Sequence, residues 1–531
     1  LNPTGYFALV LHAHLPFVRH PEYERFLEED WFFEALTETY LPLLEIFENL
    51  RSDGVHFRIT MSLTPTLLSM MTDPLLQQRY VSYLDTRLAA LEIERTRTAG
   101  DQYLGPVVEY YQKRFNQLRA QFVDRYQRDV VQPFRSLLES GQLEIITCGA
   151  THGYFPLLAT HEESIYAQLS MAIRTHQRIL GHRPTGIWLP ECGYIPGIDR
   201  ILAEFGIDFF FLDSHGILGA DPPPRHGVYC PVRTPSGPAA FGRDYESSKQ
   251  VWSAEEGYPG DPVYREFYRD AGFDVDAPHI ETLRHAGIKT FTGLKYHRIT
   301  GRGDWKEAYH PEWARDRAAA HADNFLFNRQ HQVRWLNSQT GRPPIIVAPY
   351  DAELFGHWWY EGPQWIDFLF RKMAYDQDEV RAITAAEFLR LGSDLETVVA
   401  PECSWGAGGY HEVWLNGTND WIYPLLFDAG ERMSRLVSMF PDAKDTHRWI
   451  LDQAARELLL AQSSDWAFIM KTGTSVEYAD RRIKTHLHRF DRLANMLESG
   501  HVDHGYLEAI AERDSLFPDM DYRIFSKRPC L

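Results

Sequence analysis

The stretch Ile187-Trp188-Leu189-Pro190-Glu191-Cys192-Gly193-Tyr194 decides how the fold is read. An apolar, strand-like run follows Pro184 and Gly186 and stops at a carboxylate set between a proline and a cysteine. Gly193 supplies a turn, and a helix-like segment runs from Pro196 to Phe205. α/β barrels keep their chemistry at the C-terminal ends of buried parallel strands, which is where this pattern puts Glu191. Glu191 also reads as a cap for the helix behind it, and the stretch alone leaves both readings open.

A second stretch favours chemistry. Pro344 to Tyr350 (PIIVAPY) is another short apolar run, and it ends in Asp351-Ala352-Glu353-Leu354-Phe355-Gly356-His357-Trp358-Trp359. Two strand ends, each with a carboxylate among aromatics, suit acid/base work on a sugar: one carboxylate attacks while a second, kept protonated, acts as acid.

Further out, Tyr6 to Leu11 reads as a buried strand ending in His12-Ala13-His14, whose two histidines point to the same side. Phe57 to Leu63 and Leu143 to Cys148 read as further strands, the latter delivering His152. Asp208 to Leu212, and Ile288 to Thr292, complete the strand-like runs. The segments between them have helical spacing: 31–50 with a break at Pro42, the charged stretch 74–141, 162–180, 310–337 and 363–375. Asp221 to Gly242, rich in proline and glycine, reads as an irregular subdomain or lid, and 243–261 is also loop-rich. Beyond Pro401 the pattern turns helical, over 418–440, 446–460, 475–499 and 502–515. Alternating strands and helices up to about residue 400 predict a parallel sheet with crossover helices, closed as a barrel, on which His12, His14, His152, Glu191 and Asp351 converge.

Composition narrows the function. The formal charge of −19 lacks the basic footprint that nucleic acid or an anionic membrane requires. No apolar run approaches the roughly 20 residues of a membrane span, and the first residues show neither a basic region nor a cleavage site. Five cysteines without paired spacing argue against a disulfide framework or a Cys-x-x-Cys zinc site and fit a reducing, cytoplasmic compartment. Gly301-Arg302-Gly303 does not join a strand to a helix, so no nucleotide fingerprint is present. Fourteen tryptophans matter by position: Trp405 and Trp414 flank flexible glycines and are candidates for a sugar-binding rim, or for plain packing. Ser463-Ser464-Asp465-Trp466 reads as a helix N-cap that also aims a carboxylate at the barrel mouth. A rival reading uses His12, His14, His152 and Asp351 as zinc ligands of a metal-dependent sugar deacetylase or hydrolase.

Five motifs, His12-Ala13-His14-Leu15-Pro16, Gly149-Ala150-Thr151-His152-Gly153, Trp188-Leu189-Pro190-Glu191-Cys192, Pro349 to Trp359 and Ser464-Asp465-Trp466, resemble, in order, the signature regions of family 57 glycoside hydrolases. Ser404–Gly406, His411–Asn416 and the helical C-terminal region resemble most the 1,4-α-glucan branching enzymes of that family. The resemblance implies an incomplete TIM-like (β/α)7 barrel over 1–194 and 244–399, a small inserted domain over 195–243 and an all-α C-terminal domain over 400–531. It implies no cofactor and no metal, Glu191 as nucleophile and Asp351 as general acid/base. It implies an α-1,4-glucan site lined by His12, His14, His152, Trp405, Trp414 and Asp465, with Arg265 as a substrate-binding arginine and Tyr229 as a lid tyrosine. Phe273 stands where that pattern has tryptophan. A 4-α-glucanotransferase or α-amylase-type hydrolase of the same family would share the two carboxylates. The oligomeric state is open, and a monomer is consistent with the sequence.

Overall fold

The run Gly5–Ala13 (GYFALVLHA) has no alternation of apolar and polar residues, and eight of its nine positions are buried. Such a strand needs cover on both faces, as in a parallel sheet flanked by helices. The computed structural model, which describes residues 3–253, 256–392 and 394–531, builds that sheet; Leu1, Asn2 and positions 254–255 of the loop-rich stretch lie outside the described residues.

Nine strands are present among the described residues: β1 Gly5–Ala13, β2 Ile59–Leu63, β3 Leu143–Ile146, β4 Gly186–Ile187, β5 Phe209–Leu212, β6 Val232–Arg233, β7 Ala239–Gly242, β8 Ile345–Asp351 and β9 Val380–Ala382. One sheet has the order β3-β2-β1-β8, with β9 also on β1; the other has the order β4-β5-β7-β6. Every pairing is parallel except that of β6 with β7. The sheets meet at two seams. Thr147, just past β3, bridges Ile187 of β4, and the Asp244 N–H beyond β7 donates to the Val347 carbonyl of β8 at 2.8 Å. Register then aligns the polar strand ends: His12 lies opposite Asp351 on one side and Ser62 on the other. Ala8, Val10, Ile146, Trp188, Phe209, Phe211, Phe241 and Val347, drawn from strands of both sheets, form one buried cluster, and a larger core lies between strands and helices.

The break expected at Pro42 is a π-helical turn, Leu36–Tyr40, between the α-helices Glu29–Ala35 and Leu41–Ser52. Proline has no N–H for the Glu38 carbonyl and its ring crowds that oxygen, so the helix widens by one residue ahead of it. Gly356 packs on the same carbonyl, at φ +113° and so close that a Cβ would sit 1.7 Å from the oxygen.

Two expectations do not hold. Ile288–Thr292 is not a strand: the Thr292 and Gly293 amides donate to the Asp270 carboxylate at 3.0 Å and Arg87 takes the Thr292 carbonyl, so a side chain replaces the sheet neighbour. The range 195–243 is not separate from the sheets, because β5 and β7 fall inside it and continue from β4. Its prolines and glycines mark a hairpin turn, closed by Thr234 N to the Pro238 carbonyl at 2.9 Å. Among the described residues, the segment free of strands lies instead between β7 and β8. After residue 400 come the helices Ile422–Met439, Asp445–Ala461, Ser464–Thr472, Val476–Ser499 and His504–Arg513.

Candidate active site

Glu191 sits in a one-turn 3-10 segment, Pro190–Cys192, with left-handed backbone angles of φ +61° and ψ +23°. A non-glycine residue there costs about 1–3 kcal/mol and persists only when neighbours over-determine it. They do: the Glu191 carbonyl accepts from Trp405 N at 3.0 Å, Oε2 accepts from the Trp405 indole at 2.8 Å, and Oε1 accepts from the Ser464 hydroxyl at 3.2 Å. The capping reading falls, because the next helix, Ile198–Glu204, starts at Gly197 and Glu191 bonds none of its amides. Burial pushes the Glu191 carboxyl up to about 7, against the Trp405 and Ser464 hydrogen bonds, which favour the anion.

Asp351 ends β8, and its carboxyl has no hydrogen bond to another described residue. Burial, then the carboxylates of Glu353 and Glu191, raise its pKa well above the ordinary value; the Arg243 guanidinium acts in the opposite direction. Two carboxyl groups in one part-buried site, one of which opposes the ionisation of the other, divide into an anion and an acid.

The histidines form a directed chain. The Ser464 O–H donates to Glu191, so the Ser464 oxygen accepts from His152 Nδ1–H at 2.8 Å. Burial and the His14 charge lower the His152 pKa well below the usual value; burial, then His152 and His14, do the same for His12, so both rings are neutral. His152 Nε2 is therefore an acceptor, and His12 Nε2 donates to it at 3.0 Å. His12 Nδ1 then accepts from Ser62 at 3.2 Å. Assignment of these protons follows from satisfying every partner.

His14 differs. Its ring stacks on His152 at 3.8 Å between centroids, and Nε2 meets Asp465 Oδ2 at 3.0 Å. Burial alone would lower His14 and raise Asp465; their mutual attraction overcomes both, raising His14 and holding Asp465 at about 2. The ligand atoms of His14, His152 and Asp465, and of His12, Cys148 and His152, lie within 4.8 Å of one another, as a metal site requires. The nitrogens and carboxylate of these groups are, however, turned onto each other and onto Ser62, Thr64 and Ser464 in hydrogen bonds.

The structure therefore brings His12, His14, His152, Glu191, Asp351, Trp405 and Asp465 together. It sets three predicted residues apart. Trp414 is 1 % exposed, stacked on Tyr154 at 4.5 Å, behind the Trp405 loop. Arg265 is buried in an ion pair with Glu38 at 2.6 Å and lies over the Tyr360 ring at 3.9 Å. Tyr229 stands beside Asp244 and Gln332; Asp244 bonds β8 at Val347, about 13 Å along the strand from Asp351. Four residues at the site were not singled out from sequence: Trp188, stacked on His12 at 5.0 Å; Ser464; Arg243; and Glu353, two positions past Asp351. Trp188, Ser464 and Glu353 each stand inside one of the five motifs, Glu353 as a second carboxylate beside Asp351; Arg243 carried no such signal.

Comparisons with known proteins show which family the chain is similar to. The sequence model of glycosyl hydrolase family 57 matches residues 8–396, and that of the 1,4-alpha-glucan branching enzyme C-terminal region matches 426–525. A 1,4-alpha-glucan branching enzyme of Thermococcus kodakarensis is 36% identical, over 97% of this chain and 77% of its own length. Among solved structures, the novel alpha-amylase AmyC of Thermotoga maritima superposes with a TM-score of 0.92 at 41% identity, covering 98% of this chain and 99% of that one. The family 57 branching enzyme of Pyrococcus horikoshii superposes with a TM-score of 0.89 at 34% identity, covering 99% and 98%. With a family match over most of its length and relatives alike from end to end, the chain belongs to glycosyl hydrolase family 57.

Proposed function

We propose that this protein is a 1,4-α-glucan branching enzyme that works by retaining double displacement, with Glu191 as nucleophile and Asp351 as general acid/base. The observation that carries the reading is the pair of carboxyl groups at one pole of the parallel strands: Glu191 held by donors suited to its anion, Asp351 with none and pushed towards its acid form. Ionised Glu191 attacks the anomeric carbon of an α-1,4 bond while Asp351 gives its proton to the departing 4-oxygen. Asp351, now a base, takes the proton of a 6-hydroxyl on a second chain; the new carbon–oxygen bond forms and the ester to Glu191 breaks. This needs a carboxyl separation of about 5–5.5 Å. Transfer to a sugar hydroxyl rather than to water is supported by the match of residues 426–525 to the branching-enzyme C-terminal region.

In this reading the two seams close β1, β2, β3, β4, β5, β7 and β8 into a (β/α)7 barrel ending near 399, with the insertion at 244–310 and residues 400–531 as the helical domain. Trp405, His12, His14, His152 and Asp465 line the α-1,4-glucan site. Trp414 backs that wall, Arg265 holds the loop that carries His357, and Tyr229 acts on a distant part of the glucan path. Five free cysteines support a reducing, cytoplasmic setting, and no helix among the described residues is long and apolar enough to cross a membrane.

The likeness to a protein described as an alpha-amylase favours a second reading, hydrolysis at the same carboxylates. Proton NMR of amylose incubated with the enzyme and EDTA separates them. New α-1,6 anomeric signal with little rise in reducing ends is expected. Reducing ends without α-1,6 signal would make the protein a hydrolase, and activity that needs added zinc would move the chemistry to the histidines. Glu191→Gln should abolish both products and leave the melting temperature near that of the parent.

A further inference from the structure

Glu353 is the third carboxyl of the site and takes no part in the two displacement steps. It is tied to two other elements: Oε1 accepts from the His14 backbone N–H at 3.2 Å, at the end of β1, and from the Tyr40 hydroxyl in the π-helical turn. Its own backbone carbonyl accepts from Trp358 N. It faces His14 from β1, Tyr40 from the π-turn and Asp351 from its own strand end. Glu38, on the same π-turn, faces away, to Arg265 and His357. Resting on Asp351 as acid/base, we infer that Glu353, clamped by Tyr40 and the His14 amide, is a positioning residue that keeps the proton on Asp351 until the glycosidic bond breaks.

The reasoning is geometric and electrostatic. The Asp351 carboxyl has no hydrogen-bond partner among the described residues, so its protonation is set by burial and by the charges around it, of which Glu353 comes before Glu191 and Arg243. Burial pushes the Glu353 carboxyl up to about 7, against the Tyr40 and His14 donors that favour its anion, so above that pH it is a carboxylate two residues from Asp351 and disfavours a second anion beside it. The π-turn exists because Pro42 cannot close the helix, and it is this widened turn that carries Tyr40 to Glu353. The device thus links a helix irregularity to the acid step, and it leaves Glu191, tied to Trp405 and Ser464, outside its reach.

The test uses the full chain with Glu353→Gln, Tyr40→Phe and, as control, Asp351→Asn. On amylose, Glu353→Gln should move the alkaline limb of kcat/KM about one pH unit lower, roughly a tenfold loss on that limb, with the acid limb and KM nearly unchanged. An alkaline limb that stays in place while the rate falls would reduce Glu353 to a structural role and overturn the inference. Should Glu353→Gln fail to fold, Tyr40→Phe carries the test: its kcat/KM should fall on amylose but not on dinitrophenyl maltotrioside, whose leaving group needs no proton. Equal losses on both substrates, or none on either, would overturn it as well. Asp351→Asn distinguishes the two levels. If that variant still turns over amylose, the acid/base reading itself fails; if it is inactive on amylose while the other two variants behave like the parent, only the role of Glu353 fails.

Discussion

Ser464 shows how much of this site rests on one hydroxyl. Its oxygen accepts a hydrogen bond from His152 Nδ1–H and its O–H donates one to Glu191, so it sets the direction of every hydrogen bond back to Ser62. Ser464→Ala removes a donor to an anion and leaves His152 Nδ1 without its acceptor, a cost on the order of 1–2 kcal/mol, or about tenfold in kcat/KM. The sign of the pH effect follows from the loss of a group that favours the ionised nucleophile. The Glu191 carboxyl, already at about 7, rises further, so the acid limb of kcat/KM moves to higher pH. That limb belongs to the coupled carboxyl pair rather than to one residue. A variant with an unchanged acid limb would show that the Trp405 indole alone holds the anion.

The elements that carry the site differ in how plainly the chain announced them. β8 is a continuous apolar run that ends in Asp351, and the apolar run of β1 gives way to His12 one residue before the strand ends, so both strand ends could be read closely from residue order alone. β4 is two residues long; its place was legible because of the Pro-Glu-Cys sequence after it, not because of its apolar content. Arg265, which came only from the resemblance, is committed to Glu38, and Trp414, suggested by the glycines near it as well as by the resemblance, is buried against Tyr154. The glycine was the sign of packing: a Cβ at Gly406 would sit 2.7 Å from the Trp414 ring. The π-turn was legible only as a break at Pro42, and the residue that packs on its Glu38 carbonyl, Gly356, arrives from more than 300 residues away. That contact supports a sharp expectation. Gly356→Ala places a methyl group 1.7 Å from the Glu38 carbonyl at a φ that alanine avoids, and should cost on the order of 3 kcal/mol or more. Thermal unfolding should show a lower midpoint, and the Tyr40–Glu353 contact should loosen with it; a parent-like melting curve would mean that the loop carrying Gly356 moves freely.

At the scale of the molecule, residues 451 positions apart meet: His14 at the end of the first strand and Asp465 in the C-terminal helices. The pair is largely shielded, with side-chain exposures of 10 % and 15 %, so breaking it by Asp465→Asn should cost on the order of 3 kcal/mol. The dependence on pH follows from linkage. Asp465 has a folded pKa near 2, below the unfolded value of about 3.9, so its contribution is present above the unfolded value and is lost as pH falls towards 2. His14 has a raised folded pKa, so its contribution is full below the unfolded value of about 6.5 and is lost as pH rises through the folded one. Both conditions hold together between about pH 4 and 6.5. The gap in melting temperature between parent and Asp465→Asn should therefore be widest near pH 5 and narrow on either side, towards pH 2 and towards pH 9. A gap that does not change with pH would mean that Asp465 joins the two halves of the chain by packing and its Ser463 hydrogen bond, with His14 neutral throughout.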